Sequence, residues 1–398
     1  MSTYHGYIST LDAAAGSNVL DYSPLMFAKP AQGGDIALWP LLAKSSDLTD
    51  NVAYWMESSR VPITVTSDAG SNNPVTTAGQ TLDLATGQAA AGFISSGTLL
   101  RDTADGMDEI ILVTAVSTDA LTVTRNWNGT GGETHAASAT WEVVGHLNYE
   151  SSSFGTTVGR VPTRKSNSTA ILDVQVKQSG TEMARNYYSI PDYWQWQLAG
   201  AVERFQRQLE RMVIYSAGVT RADTVNIYGS FSGVKDMILD SNAATNYNAT
   251  FGTFSYSAWD NVIKTLWESG YSDGRYVMMV PPTGLQQCAY IHESAFRGDY
   301  RGELVRGLRA TALQSTLGPE IPLIPSTVIQ NDEFLLLDLS RIKVRFMVGR
   351  ELIGMDIPLG DGGNDYRARR LISELSLEMH NASDAHFWAR GVNFAVPS

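Results

Sequence analysis

The chain has a single cysteine, Cys288, and only seven lysines in 398 residues. A lone thiol excludes an internal disulfide and a thiolate metal cluster. No lysine occurs between Lys44 and Lys165, so arginine carries most of the positive charge. Arginine suits planar, multidentate contacts that hold surfaces together, although compositional bias of the source would give the same count. No run approaches the ~20 apolar residues that cross a bilayer. The start, MSTYHGYISTLDAAAG, has no basic stretch leading into an apolar one, so no signal peptide is expected. The sequons at Asn128, Asn167, Asn248 and Asn381 then carry no meaning as glycosylation sites. The expectation is a soluble chain made inside a cell.

What is present is globular. Hydrophobic residues make up 43% and charged residues 18%, which excludes a disordered chain and leaves room for two or three domains. The net charge of −12 argues against a general affinity for nucleic-acid backbone.

The most informative stretch is 109–145, EIILVTAVSTDALTVTRNWNGTGGETHAASATWEVVG. It reads as a strand, a tight turn at 117–120, and a second strand with Leu121, Val123 and Trp127 on one face. Thr122, Thr124 and Asn126 take the other, the period-2 pattern of a half-buried hairpin. An Asn-Gly turn at Asn128–Gly129 and a third strand at 140–144 complete a small β module with no nucleophile, metal cluster or phosphate loop.

Around it, residues 1–58 read as an extended arm anchored by Leu25, Met26, Phe27, Leu38 and Trp39, without the heptads of a built-in scaffold. Neither this arm nor the 60–160 excursion has enough apolar periodicity for a core of its own, and both are expected to lie across neighbouring subunits. Residues 189–218 predict a long helix, with Ser189 and Asp192 at its start, Pro191 in the first turn and Gly218 as the stop. Leu198, Val202, Phe205, Leu209 and Met212 form its apolar stripe, and Glu203 pairs with Arg207 at i,i+4. A second helix is predicted at 257–269, and strands at 276–280, 321–325, 333–338 and 343–348. The last two strands, 371–379 and 386–392, read as a pair joined by a turn at 381–384. Helices and strands mix without a βαβ repeat, which predicts an α+β fold.

In this order the elements resemble the major capsid protein of tailed bacteriophages, the Hong Kong 97 (HK97) fold. The resemblance lies in the arm, the β excursion, and the run NSTAILDVQVKQSGTEMARNYYSIPDYWQWQLAGAVERFQRQLERMVIYSAG at 167–218, which looks like the entry to a spine helix. It continues in the ending YRARRLISELSLEMHNASDAHFWARGV at 366–392, while VTAVSTDALTVTRNWNGT at 113–130 looks like a β domain inserted in the extended loop. The resemblance implies an arm at 1–58, an extended loop with inserted β domain at 59–160, and a peripheral domain with spine helix at 161–229. An axial domain at 230–350 and return strands at 351–398 would follow.

The implied function is an icosahedral shell subunit, closing into pentamers and hexamers around packaged double-stranded DNA that it contacts weakly and without specificity. Implied partners are scaffolding, portal and decoration proteins, with no membrane and no cofactor. Assembly is expected in the host cytoplasm; the missing heptads imply a separate scaffolding protein or a protease-free route, and the arm is expected to stay uncleaved. A nanocompartment shell or a minor virion component is the competing reading.

Enzymatic patterns fail on inspection. GRVPTRKS at 159–166 puts Arg164 where a phosphate loop needs its second glycine, and GSFSG at 229–233 puts Phe231 where a nucleophilic serine would stand. DGGND at 361–365 lacks the later glutamate of a calcium loop and reads as a turn. His380 and His386 lack a third ligand. Arg297, Tyr300, Arg301, Arg306 and Arg309 are interspersed with Glu293, Asp299 and Glu303, so they point to contacts between subunits and not to a nucleic-acid patch.

Some relatives weld their shells with a lysine in the extended loop. An arginine stays protonated and cannot replace that amine. The lysine-free excursion therefore implies a non-covalent shell, held by Arg101, Arg125 and Arg160 against carboxylates such as Asp102, Asp105 and Glu109 of neighbours, with Trp127 as an anchor.

Overall fold

A computed structural model describes residues 35–58, 63–69, 80–127, 129, 132–150, 162–185, 192–221, 228–240, 246–270, 274–296, 312–317, 320–358, 363 and 365–394. The chain divides into two compact units, one of residues 1–55 and 164–398, the other of residues 56–163.

In the larger unit, a long strand, Tyr366–Met379, organises one sheet. Ala170–Ser179 pairs along one side of it, while Ile342–Phe346 and Ile353–Ile357 lie end to end along the other. Ala43–Lys44 adds a short parallel edge on Ile342–Phe346. The helix read from sequence is Tyr193–Tyr215, starting where the Asp192 carboxylate accepts from the Gln195 N–H at 3.0 Å. Its 23 residues span about 35 Å at 1.5 Å per residue. The buried stripe is Ala201, Phe205, Leu209 and Val213: Phe205 and Leu209 are as predicted, while Ala201 and Val213 take the places of Val202 and Met212, which border it. Glu203 and Arg207 do pair, at 2.7 Å. Gly218 is not the helix stop, which is Ser216; it lies close against Ser232, whose Oγ a Cβ would meet at 2.0 Å.

The second sheet runs 247–248, 387–390, 333–338, 276–280, 320–325, 312–314 in spatial order. Alternation divides its inner strands between two cores. Val277, Met279, Leu335 and Leu337 face the core shared with the spine helix and Val234–Asp240. Met278, Val280, Phe334 and Leu336 face a second core with Trp259, Ile263 and Leu266 of the helix Tyr256–Glu268. With helices on both faces, these strands read as continuous apolar runs in the sequence.

One reading of the C-terminal region changes. The last strands are not a pair: Tyr366–Met379 belongs to the first sheet and Phe387–Arg390 to the second, so the turn at 380–384 is a crossing between sheets. The polar positions of 371–379 are buried like the apolar ones, and Glu374, Ser376 and Glu378 find partners there. Ser376 donates to the Ser168 carbonyl at 2.8 Å, and Glu378 meets His380 at 2.7 Å.

The smaller unit is one antiparallel sheet, in the order 64–66, 140–146, 98–102, 110–117, 120–124, 81–83. Contrary to expectation, it has its own core: Val65, Leu82, Leu100, Ile111, Val113, Leu121, Val123 and Trp141 close on one face, joined by Ala89 and Ile94. The strands 110–117 and 120–124 are the predicted hairpin. Asp119 in its turn accepts from the N–H groups of Gly87 and Ala89 at 2.8 and 3.1 Å, tying the short helix Gln88–Ala91 to the sheet. The segments that carry the chain in and out of this unit, Val52–Glu57 and Thr163–Ser168, pair with each other.

Candidate assembly surfaces and the networks behind them

The predicted contact residues split into three groups. Arg101 is exposed and lies 3.8 Å from exposed Asp108, so it is free to meet another surface. Trp127 is 51% exposed although alternation placed it beside Leu121 and Val123. Asn126 explains this: its φ of 55° breaks the strand, and the Trp127 N–H then bonds the Ile110 carbonyl. Arg160, Arg297, Tyr300, Arg301, Arg306 and Arg309 lie outside the described residues.

Asp102 and Arg125 are turned inward, which removes them as contacts between subunits. Glu109, fully buried, is the centre of the network that takes them up. Its Oε1 accepts from Arg125 Nε at 3.0 Å and the Asn126 N–H at 2.9 Å; Oε2 accepts from the Glu133 N–H at 2.8 Å and meets Arg125 Nη2. His135, also buried, spans the two carboxylates, with Nδ1 2.7 Å from Asp102 Oδ2 and Nε2 3.0 Å from Glu109 Oε2. Burial alone would raise the Glu109 pKa, but Arg125, the Glu133 N–H, His135 and the Asn126 N–H together hold it down at about 2. The salt bridge expected across subunits thus forms within one, joining the start of strand 110–117 to the 125–135 loop.

Comparable networks brace the larger unit. Glu374 is bound by Thr169 Oγ1 at 3.1 Å, Arg221 at 3.0 Å and Arg350 at 3.3 Å. Lys235 meets Glu333 beneath the rings of Tyr215 and Trp388; desolvation lowers the lysine pKa against the pull of Glu333. Buried His386 accepts the Asp338 N–H at Nδ1 (3.2 Å) and faces the His380 carbonyl with Nε2 (3.3 Å), bridging the two sheets at their crossing. Burial drives its pKa down to about 4, so the ring is neutral. Glu210, inside the apolar stripe of the spine helix, accepts from three backbone N–H groups of the arm. Sequence reading missed Glu210; a glutamate beside Leu209 and before Val213–Ile214 was its only signal.

Among the described residues no three His, Cys, Asp or Glu side chains converge as a metal site, and no helix is long and apolar enough to cross a membrane. A groove of about 500 Å³, lined by Tyr247, Asn248, Phe251, Asn261, Thr265 and Phe387 among others, contains no acid, histidine, lysine or cysteine. Apolar side chains are instead spread over the surface. Val348, Leu352, Met355 and Ile357 are exposed around the strand Ile353–Ile357, whose outer edge has no partner strand among the described residues.

A family model described as the SU10 major capsid protein matches residues 43–393. The chain belongs to that family. The capsid protein therefore is the structural, non-enzymatic subunit that self-assembles into the phage head shell and resides in the virion. Its architecture agrees. The capsid of an empty GTA particle superimposes with a TM-score of 0.53 at 8% identity, covering 97% of this chain and all of that one. This is the HK97-like fold. Similar structures also include the capsid of a native GTA particle (TM-score 0.49, 9% identity, 97% and 100% covered) and Mycobacterium phage Bobi (TM-score 0.46, 10% identity, 98% and 99% covered). No curated protein matches the sequence.

Proposed function

We propose that residues 56–163 are the extended loop of this shell subunit, rebuilt as an inserted β domain that strengthens a non-covalent head. The observation that carries this reading is the independent core of the unit around Trp141, Leu100 and Ile111, set between paired entry and exit strands. A loop that merely reached over a neighbour would have no use for a core. Its lack of lysine leaves no amine for an isopeptide lock, so contacts through exposed groups such as Arg101, Asp105 and Trp127 hold the shell instead.

The subunits close into pentamers and hexamers through heterologous interfaces supplied by the 230–350 segment. Scaffolding, portal and decoration proteins act with them, the decoration protein seated on the inserted domain. The acidic balance keeps contact with packaged double-stranded DNA weak and non-specific. Boiled mature particles on a denaturing gel test the central point: one band near 43.3 kDa is expected. A ladder of cross-linked rings would refute the non-covalent shell.

A further inference from the structure

We infer that Glu210 is a clasp that fixes the arm segment 35–42 against the spine helix of its own subunit; this rests on the reading as a shell subunit. Glu210 lies in the apolar stripe of the spine helix and is fully buried, so its carboxylate must find donors inside the protein. It finds three in succession: Oε1 accepts the N–H of Ala37 at 3.2 Å and of Leu38 at 2.8 Å, and Oε2 that of Trp39 at 2.7 Å.

Successive N–H groups converge in this way at the start of a helical turn, where no intrahelical acceptor exists. The 3₁₀ turn Trp39–Leu41 begins there, and Leu38 at its N-cap offers no side-chain cap. The spine helix supplies the missing acceptor, and its charge favours the positive end of the turn.

One helical turn before, Arg207 grips the same segment, 3.3 Å from Asp35, which also accepts from Thr327 Oγ1. Leu38 is fully buried between these polar points. Beyond the clasp the arm becomes the parallel edge Ala43–Lys44, and Leu48 bridges to Met347. The segment 35–42 has no α-helix and no strand pairing, so the carboxylate does the holding that a hydrogen-bonded ladder does elsewhere. Whatever the residues before Asp35 reach in the shell, they start from a point set by Glu210.

The test is amide hydrogen exchange on the unassembled full-length chain. Glu210→Gln keeps the shape but replaces one acceptor by a donor facing N–H groups. Exchange at Ala37, Leu38 and Trp39 is expected to rise at least tenfold while the core strand 333–338 stays protected, and chymotrypsin is expected to cut at Trp39. Shells grown from this variant are expected to vary in size. Unchanged protection at 37–39 overturns the clasp.

If Glu210→Gln does not fold, the wild-type chain supplies the measure: the amides of Ala37, Leu38 and Trp39 are expected to exchange at least tenfold more slowly than in an unstructured peptide, and free-peptide rates there overturn the clasp equally. A wild-type chain that never forms shells would instead sink the shell reading, leaving the exchange result to stand on its own.

Discussion

Residues 56–163 carry 11 acidic side chains against four arginines, a net −7 of the chain's −12, whereas the other unit carries 30 acidic against 25 basic. The smaller unit is a single antiparallel sheet with one core. The larger has two sheets, parallel and antiparallel pairings, and helices against both faces of the second. Both bury charge, for different ends. In the larger unit Glu210, Glu374, Glu333 and His386 each join segments distant in sequence. In the smaller one Glu109, Arg125, His135 and Asp102 gather at a single node within 34 positions of each other. A distributed set of clamps suits a body that docks an arm and crosses between sheets. One node suits a module that must hold its shape with a small core.

Truncation of the arm should separate these strategies most strongly. Removing residues 1–34 is expected to leave a folded chain. Removing 1–40 takes away Leu38, fully buried, and the three N–H donors on Glu210. A lost core leucine costs about 2–5 kcal/mol and an uncompensated buried carboxylate about as much again. The longer deletion should therefore destabilise the larger unit before assembly is ever tested. Equal melting curves for the two truncations would show that the arm is not part of the core.

Arg125→Ala strikes the other unit. Stranding Glu109 without its main partner is expected to cost about 3–5 kcal/mol. Thermal unfolding should then show residues 56–163 melting first, with the larger unit's transition in place. A single unchanged transition would deny the node its role.

Acid should act on the two units in sequence. The pKa of His386 falls to about 4 in the fold, below its ordinary value near 6.5, so the unfolded chain binds the proton first. The stability it supports is complete above pH ~6.5 and is lost as pH falls through about 4, roughly 3 kcal/mol in all. Glu109, held at about 2, keeps its contribution until pH falls below ~4.5. Between pH 6 and 4.5 the larger unit should weaken while the smaller does not, and His386→Gln should flatten that part of the profile. Identical acid sensitivity of the two units in calorimetry would contradict this.

Much of the fold was legible in the sequence, and what was not has a physical reason. Spacing gave the spine helix and the apolar run at 276–280, because local periodicity reports which face is buried. The polar positions of 371–379 carry no sign of burial in the sequence, yet Glu374, Ser376 and Glu378 are buried with partners from residues 168–350. Arg125 and Asp102 were assigned to subunit contacts for a related reason. A carboxylate 16 positions from its arginine leaves no periodic trace, so inward and outward charges look alike until the strands are paired. Trp127 erred the other way, since a single left-handed Asn126 overrode the alternation.

That error makes Trp127 the finest test of the difference between the units. Its ring is half exposed, outside the core that Trp141 fills. Trp127→Ala should change the stability of the unassembled chain by no more than about 0.5 kcal/mol, as for other surface positions. Trp141→Ala, in contrast, should cost about 3–5 kcal/mol. If Trp127 anchors a neighbour, its removal should raise the concentration needed for shell formation roughly tenfold, equivalent to about 1.4 kcal/mol per contact. Light scattering against protein concentration measures this directly. An unchanged assembly threshold would remove Trp127 from the candidate contacts and leave Arg101 as the exposed candidate of this unit.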